Sequence, residues 1–118
     1  MHQNTVTIYH NPRCSKSRKT LELIESRGLT PTIVHYLDSP PSAQELRHLL
    51  KELGMTPAAL MRKGEQAYKA LKLSESTLSD EELIDAMINQ PILIERPIVT
   101  TSKGACIGRP PENVLALL

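Results

Sequence analysis

The residues best suited to chemistry lie together near the start of the chain, in Tyr9-His10-Asn11-Pro12-Arg13-Cys14-Ser15-Lys16-Ser17-Arg18. Val6-Thr7-Ile8-Tyr9, upstream, alternates as a short strand does. Downstream, Leu21, Leu23 and Ile24 fall at helical spacing between Ser17 and Arg27, and Gly28 supplies the stop. Cys14 is therefore expected in a strand-to-helix loop, at or just before the first helical turn. The first N–H groups of that helix, from about Ser15 to Ser17, have no intrahelical acceptor. They favour an anion and bias a cysteine toward thiolate, the form that attacks electrophiles. Arg13, Lys16 and Arg18 add positive charge, which also argues against the other common use of a free cysteine as a small buried hydrophobe.

Spacing narrows the chemistry. A Cys-x5-Arg phosphatase loop is excluded, because the sixth residue after Cys14 is Thr20. What remains is Cys-x-x-Ser, with Ser17 where dithiol oxidoreductases carry their second cysteine. Its hydroxyl can donate a hydrogen bond to a thiolate but cannot resolve a mixed disulfide, so resolution must come from elsewhere. His10 reads either as a strand-end residue bonded to backbone or as an imidazolium beside Cys14. Cys106, between Ala105 and Ile107, reads as core, with a resolving thiol as the lesser alternative. His2, His35 and His48 have no ligand spacing with either cysteine, so a metal site is not expected.

The elements that must position these groups follow in order. Thr32–Leu37 is a β-branched, largely apolar run ended by Asp38-Ser39-Pro40-Pro41, so strand, helix and strand form a right-handed βαβ unit with parallel strands. Ser42 with Glu45 opens a second helix with a capping box, Leu46, Leu49, Leu50 and Leu53 on one face and Gly54 as its stop. Thr56-Pro57 starts a short helix to about Met61. The pattern is loose from Arg62 to Leu78, with a turn of helix at Gln66 to Leu71. Ser79 with Glu82 caps a further helix that Pro91 forbids continuing. Ile98–Thr101 and Ala105–Gly108 form a hairpin around Ser102-Lys103-Gly104, and Pro111-Glu112 starts a last helix through Val114, Leu115, Leu117 and Leu118. This order predicts an α/β fold of thioredoxin-like type: a mixed four-stranded sheet flanked by helices, with a helical insertion between the βαβ and ββα halves.

Composition sets the outer bounds. At 118 residues one domain, 1–118, is expected. With no Phe or Trp and only Tyr9, Tyr36 and Tyr68 as aromatics, the core must be aliphatic. A formal net charge of +1 gives no field that suggests nucleic acid or membrane as a partner. No apolar run approaches the roughly 20 residues that span a bilayer, no signal peptide precedes Val6, and two cysteines make no secreted disulfide framework; the cytoplasm is the expected compartment.

A hairpin turning about Lys103 would set Ile98 against Gly108 and bring Arg96 and Arg109 to the same open end. Each precedes a proline, Pro97 and Pro110, which biases it to extended backbone. Two guanidinium forks at one edge suit a tetrahedral oxyanion, and Arg62, after the short helix, could be a third arm.

With these residues in place, the chain resembles the glutaredoxin-coupled arsenate reductases of the ArsC family. The matching segments are Ile8-Tyr9-His10-Asn11-Pro12-x-Cys14-x-x-Ser17-Arg18, Tyr36-Leu37-x-x-Pro40-Pro41, Leu60-x-Arg62-Lys63, Pro91-Ile92-Leu93-Ile94-x-Arg96-Pro97-Ile98-Val99 and Gly108-Arg109-Pro110. The resemblance implies that Cys14 attacks arsenate, that His10 helps depress the cysteine pKa, and that Arg62, Arg96 and Arg109 bind the oxyanion; the free helix N–H groups and loop charge add Ser15, Lys16 and Ser17 to the expected binding residues. It implies no bound cofactor, glutathione as co-substrate, a glutaredoxin partner, and a structural cis bond at Arg96-Pro97. Ser15-Lys16 replaces the Gly-Thr pair common in established arsenate reductases, and the chain stops at Leu118 where those enzymes usually continue; both features resemble a short, YfgD-like branch. The same site on another substrate would make a glutathione-linked thiol oxidoreductase or a reductase of another oxyanion. A redox regulator of the Spx type, which shares the fold and binds RNA polymerase, is a further alternative, although Ser17 removes the second thiol such switches commonly use.

Overall fold

The computed structural model describes residues 5–71 and 78–118, which leaves His2 and the middle of the loose stretch before Leu78 outside the described residues. The chain divides into two compact units. One comprises residues up to Ser39 together with Arg96–Leu118, and the other is Pro40–Glu95.

The first unit is built on a four-stranded sheet of order β2-β1-β3-β4, formed by β1 (Thr7–Tyr9), β2 (Thr32–Val34), β3 (Ile98–Thr101) and β4 (Gly104–Ile107). β1 runs parallel to β2, with Ile8 opposite Ile33, and antiparallel to β3, with Ile8 opposite Val99. The 12-residue helix α1 (Ser15–Ser26) connects β1 to β2. The last helix expected from Pro111 closes the unit as a 3₁₀ helix, Pro111–Leu117. Ile24 of α1 and Val114 of the 3₁₀ helix join Val6, Ile8 and Val99 in one aliphatic core. An apolar sheet face must be covered. Here α1 and the 3₁₀ helix cover it, which fixes where α1 begins relative to the strands.

Two strand expectations shift in this unit. β2 ends at Val34, not Leu37, because it lies at the edge of the sheet among the described residues and its partner β1 ends at Tyr9. The chain then turns, with the N–H groups of Asp38 and Ser39 donating to the His35 carbonyl, and Tyr36 is buried. The hairpin is one residue tighter than expected: Thr101 pairs with Gly104 across the two-residue turn Ser102-Lys103, so Ile98 faces Ile107 and not Gly108.

The second unit is helical: α2 (Ala43–Leu53), α3 (Pro57–Leu60), α4 (Gln66–Ala70) and α5 (Asp80–Asn89), then a 3₁₀ turn, Pro91–Leu93. Its boundaries follow local chemistry. The Ser42 hydroxyl accepts from the Glu45 N–H, and Gly54 ends α2 in the left-handed region at φ 67°. Pro57 occupies the first turn of α3, and Ser79 and Glu82 form a complete reciprocal capping box on α5. Leu46, Leu49, Leu60, Leu83, Ile84, Met87 and Leu93 are buried within the chain.

One close approach ties α1 to the end of the hairpin. A Cβ on Gly108 would lie 2.5 Å from Thr20 Oγ1 and 2.9 Å from Pro97 Cγ. Thr20 is itself fully buried, its hydroxyl donating to the Lys16 carbonyl at 2.7 Å. Gly108→Ala should therefore overpack this contact and destabilise the protein by about 1–3 kcal/mol, seen as a lower thermal midpoint. Adding Thr20→Ala should recover part of the loss; additive effects of the two substitutions would show that they do not share this contact.

Candidate active site

The loop between β1 and α1 is built by its own backbone. The His10 N–H donates to the Val34 carbonyl and extends the parallel ladder by one bond. Asn11 is buried; its side-chain Oδ1 accepts from the Arg13 N–H at 3.0 Å and its carbonyl accepts from the Cys14 N–H at 3.0 Å. This Asx-type turn reverses the chain and delivers Cys14 to the N-cap of α1, with φ −94° and ψ 122°. The Arg18 guanidinium donates to the Pro12 carbonyl at 2.8 Å and braces the turn from the helix side.

Cys14 is partly exposed, so a solute can reach its sulfur. Burial pushes its pKa up, but the N–H of Ser17, the hydrogen bond and charge of Arg96, and the N–H of Lys16 outweigh that and leave it below the ordinary thiol value. Arg109 adds a second guanidinium, its Nη1 donating to Cys14 Sγ at 3.9 Å and to the Arg96 carbonyl at 3.2 Å. The corrected hairpin register explains the pairing. Ile98 faces Ile107 and the Gly108 N–H donates to the Pro97 carbonyl, so the two arginines follow just beyond the open end of the hairpin, where Arg109 reaches the Arg96 carbonyl. Both Arg96-Pro97 and Arg109-Pro110 are cis, the second without any sequence signal that separated it from an ordinary X-Pro bond.

The structure thus brings Cys14, Arg96, Arg109 and the backbone of Lys16 and Ser17 together. Ser15 and Lys16 are exposed at the same helix end. Of the two readings of His10, the imidazolium beside the sulfur is not what the structure has, and its side chain goes to Ser17 rather than to backbone. It is 5% exposed, and its Nδ1 lies 2.6 Å from Ser17 Oγ. Burial, with the charges of His35 and Arg18, lowers its pKa and keeps it neutral. The Ser17 hydroxyl, which could have turned to the thiolate, is held in this buried contact instead: its oxygen accepts from the Asn11 N–H at 3.1 Å and pairs with His10 Nδ1. His10 and Ser17 are positioning residues that lock the loop to the helix, and what Ser17 offers the sulfur is its N–H.

Arg62 belongs to the second unit. Its N–H donates to the Leu93 carbonyl, its Nε to Glu65 at 3.0 Å and its Nη1 to Glu95 at 2.5 Å. Cys106 is half-buried on β4, its thiol donating to the Asn113 carbonyl at 3.7 Å, and burial raises its pKa. Sequence reading assigned no role to Asn11, Thr20 or Gly108. The Asn-Pro step was the available signal for the first; the Gly108 contact with Thr20 spans most of the chain and left none. Among the described residues no cluster of His, Cys, Asp and Glu could hold a metal, and no helix is long and apolar enough to cross a membrane.

A profile of the ArsC family matches residues 9–117. The chain belongs to that family. Within it, the chain is 55% identical over 114 residues to the uncharacterized protein YfgD of Escherichia coli K12, covering 96% of each. It is 48% identical over 115 residues to the arsenate reductase of the same organism, covering 98% of this chain and 82% of that one. Among solved structures, an arsenate reductase from Vibrio cholerae superposes with a TM-score of 0.95 at 49% identity, covering 99% of this chain and 100% of that one. The fold is accordingly the thioredoxin-like fold of the ArsC arsenate reductases.

Two outcomes follow for this ArsC site. The pH dependence of Cys14 alkylation by iodoacetamide should give an apparent pKa below that of free cysteine, and Arg96→Ala should raise it; an unchanged value would remove Arg96 from the electrostatics of the sulfur. For His10 the lowered folded pKa means that, between that value and the unfolded value near 6.5, the unfolded chain binds more protons. Stability should then fall as pH drops through this window and be retained above it. His10→Asn, which keeps an acceptor near Ser17, should flatten that slope in denaturant titrations at several pH values.

Proposed function

We propose that this protein is an arsenate reductase that draws its electrons from glutathione and hands the resulting mixed disulfide to a glutaredoxin. One observation carries the reading: an accessible cysteine held toward its anion by helix N–H groups, with two arginines from the open end of one hairpin beside it. Two guanidinium forks and exposed N–H groups suit a tetrahedral oxyanion, whose developing charge they stabilise in the transition state. The family and the names of the relatives supply the element at its centre.

In this scheme the Cys14 thiolate attacks arsenic, an S–As bond forms, and one As–O bond breaks, its oxygen leaving as water after protonation. Arsenic is still As(V) at this stage. A glutathione thiolate then attacks Cys14 Sγ. As the S–S bond forms, the S–As bond breaks with its electron pair on arsenic, which leaves as arsenite, As(III). Two sulfurs are oxidised by one electron each and arsenic gains both. A glutaredoxin thiolate removes the glutathione and regenerates Cys14.

The need for an outside thiol is supported by the state of the chain's two cysteines. Attack requires a thiolate; burial holds Cys106 as the thiol, and Ser17 offers none. Arg96 and Arg109 bind the oxyanion with the N–H groups at Ser15 to Ser17 and the Lys16 charge, His10 and Ser17 hold the loop, and Pro97 shapes the backbone next to it. Arg62 is retained as a third arginine, for which the oxyanion must compete with Glu65 and Glu95. The reading treats 1–118 as one functional domain at work in the cytoplasm, where reduced glutathione is available.

With arsenate, glutathione, glutaredoxin and glutathione reductase, the protein should drive NADPH consumption that Cys14→Ser abolishes. Arg109→Ala should lower kcat by about 10²–10³-fold, as loss of one oxyanion donor does. Arg62→Ala should act mainly on KM for arsenate. Formation of a Cys14–glutathione disulfide with no arsenate-dependent turnover would instead favour a thiol oxidoreductase.

A further inference from the structure

Beside the Cys14 loop, α1 and the start of the 3₁₀ helix flank an open groove of about 500 Å³ that shares only Ser15 and Lys16 with the oxyanion chemistry. Its lining comes from Ser15, Lys16, Lys19, Glu22 and Leu23 of α1 with Glu112 opposite. These α1 positions recur at three- and four-residue intervals, so they form one continuous face that starts at the residue following Cys14. The volume lies within the ~300–1,000 Å³ of small-molecule sites, and the walls carry both signs of charge with an apolar stretch at Leu23.

We infer that this groove holds the glutathione that resolves the Cys14 adduct, an inference that rests on the thiol-dependent reading above. Glutathione is a short extended peptide with a central thiol, two carboxylates and one ammonium. The groove offers two ammonium groups, Lys16 and Lys19, and two carboxylates, Glu22 and Glu112. Lys16 lies nearest Cys14 in sequence and Lys19 one turn further along α1, so a peptide lying along this face has a carboxylate partner on either side of its thiol. Glu112, across the groove, meets the γ-glutamyl ammonium. The thiol then lies between the two lysines, beside Ser15, the residue that follows Cys14. Exposed single ion pairs are weak, so several used together on one ligand are what give preference for a zwitterionic peptide over a neutral thiol.

The step that reports this needs no arsenate. Cys14 thiolate attacks oxidised glutathione, forming a Cys14–glutathione disulfide and releasing one glutathione thiolate, so bonds and electrons balance. The comparison is with 2-hydroxyethyl disulfide, which reacts by the same exchange and carries no charge. Rates are followed by mass spectrometry of the quenched protein at fixed pH and about 0.15 M salt, where fields beyond about 8 Å are screened. Lys19→Glu should slow the reaction with oxidised glutathione about tenfold and that with hydroxyethyl disulfide less than about twofold. Glu112→Gln should give a smaller selective loss, and Arg27→Glu, a charge reversal on the adjoining C-terminal end of α1 outside the groove, should give none. Equal slowing of both disulfides by Lys19→Glu would mean that the lysine acts on the Cys14 thiolate, and no slowing, or the same loss from Arg27→Glu, would mean that the groove binds no glutathione; each overturns the inference. Arsenate turnover measured separately keeps the two readings apart, since discrimination between disulfides can hold where arsenate reduction fails.

Discussion

Biasing a sulfur toward its anion while leaving it open to solvent is the constraint around which this protein is arranged. Burial alone would protonate Cys14, and full exposure would return it to the ordinary thiol range. The fold resolves this by placing the residue at the N-cap of α1, where the N–H groups of Lys16 and Ser17 are already oriented and unpaired within the helix. Backbone dipoles of this kind need no side-chain ordering when the charge forms. Arg96 supplies the rest through a direct hydrogen bond and its charge. The same groups that favour the thiolate are those an incoming oxyanion meets, so nucleophile and electrophile are held by one positive field.

That field depends on register. Side chains of a strand alternate between faces, so a slip of one residue in the hairpin would separate the arginines. The two-residue turn at Ser102-Lys103 fixes Thr101 opposite Gly104, and the ladder carries that pairing along to the Gly108 N–H bond with Pro97. Gly108 then lets the hairpin end close on Thr20, so that α1 and the open end of the hairpin are held by direct contact. Arg109 can consequently donate to the Arg96 carbonyl and to Cys14 Sγ with the same nitrogen. A methyl group at position 108 would act on the sulfur through this contact.

What could be read from the sequence was what is decided locally. The caps at Ser42, Ser79 and Gly54, the proline start of α3 and the placement of Cys14 before a helix each depend on a few neighbouring residues, and the structure has them where residue type put them. The pairing of the arginines was legible as an edge, but its register was not, because Gly104 suits both a two-residue and a three-residue hairpin loop. β2 looked longer than it is since Tyr36 is apolar enough for a strand, while the length of its partner β1 sets the end. The spacing of Val114 and Leu115 signals a helix without distinguishing α from 3₁₀. His10 escaped for a different reason: its proximity to Cys14 in sequence suggested contact, whereas the turn at Asn11 points it to Ser17.

Ser17 shows why a single reactive thiol goes with an external reductant. In a dithiol site the residue one turn after the nucleophile must be free to attack the bond its neighbour has formed. Here that position is fully buried, and its oxygen is shared between the Asn11 N–H and His10 Nδ1. Sulfur is a poor substitute in both roles, since it is a weaker acceptor and a weaker donor than a hydroxyl. A cysteine at 17 would loosen the tie that holds the loop, and a resolving thiol there would have to leave a buried network to react. Organising the nucleophile and resolving the disulfide therefore compete for one position, and this chain gives it to organisation. The partial exposure of Cys14 then becomes a requirement, because the electrons must arrive on a thiol that comes from solvent.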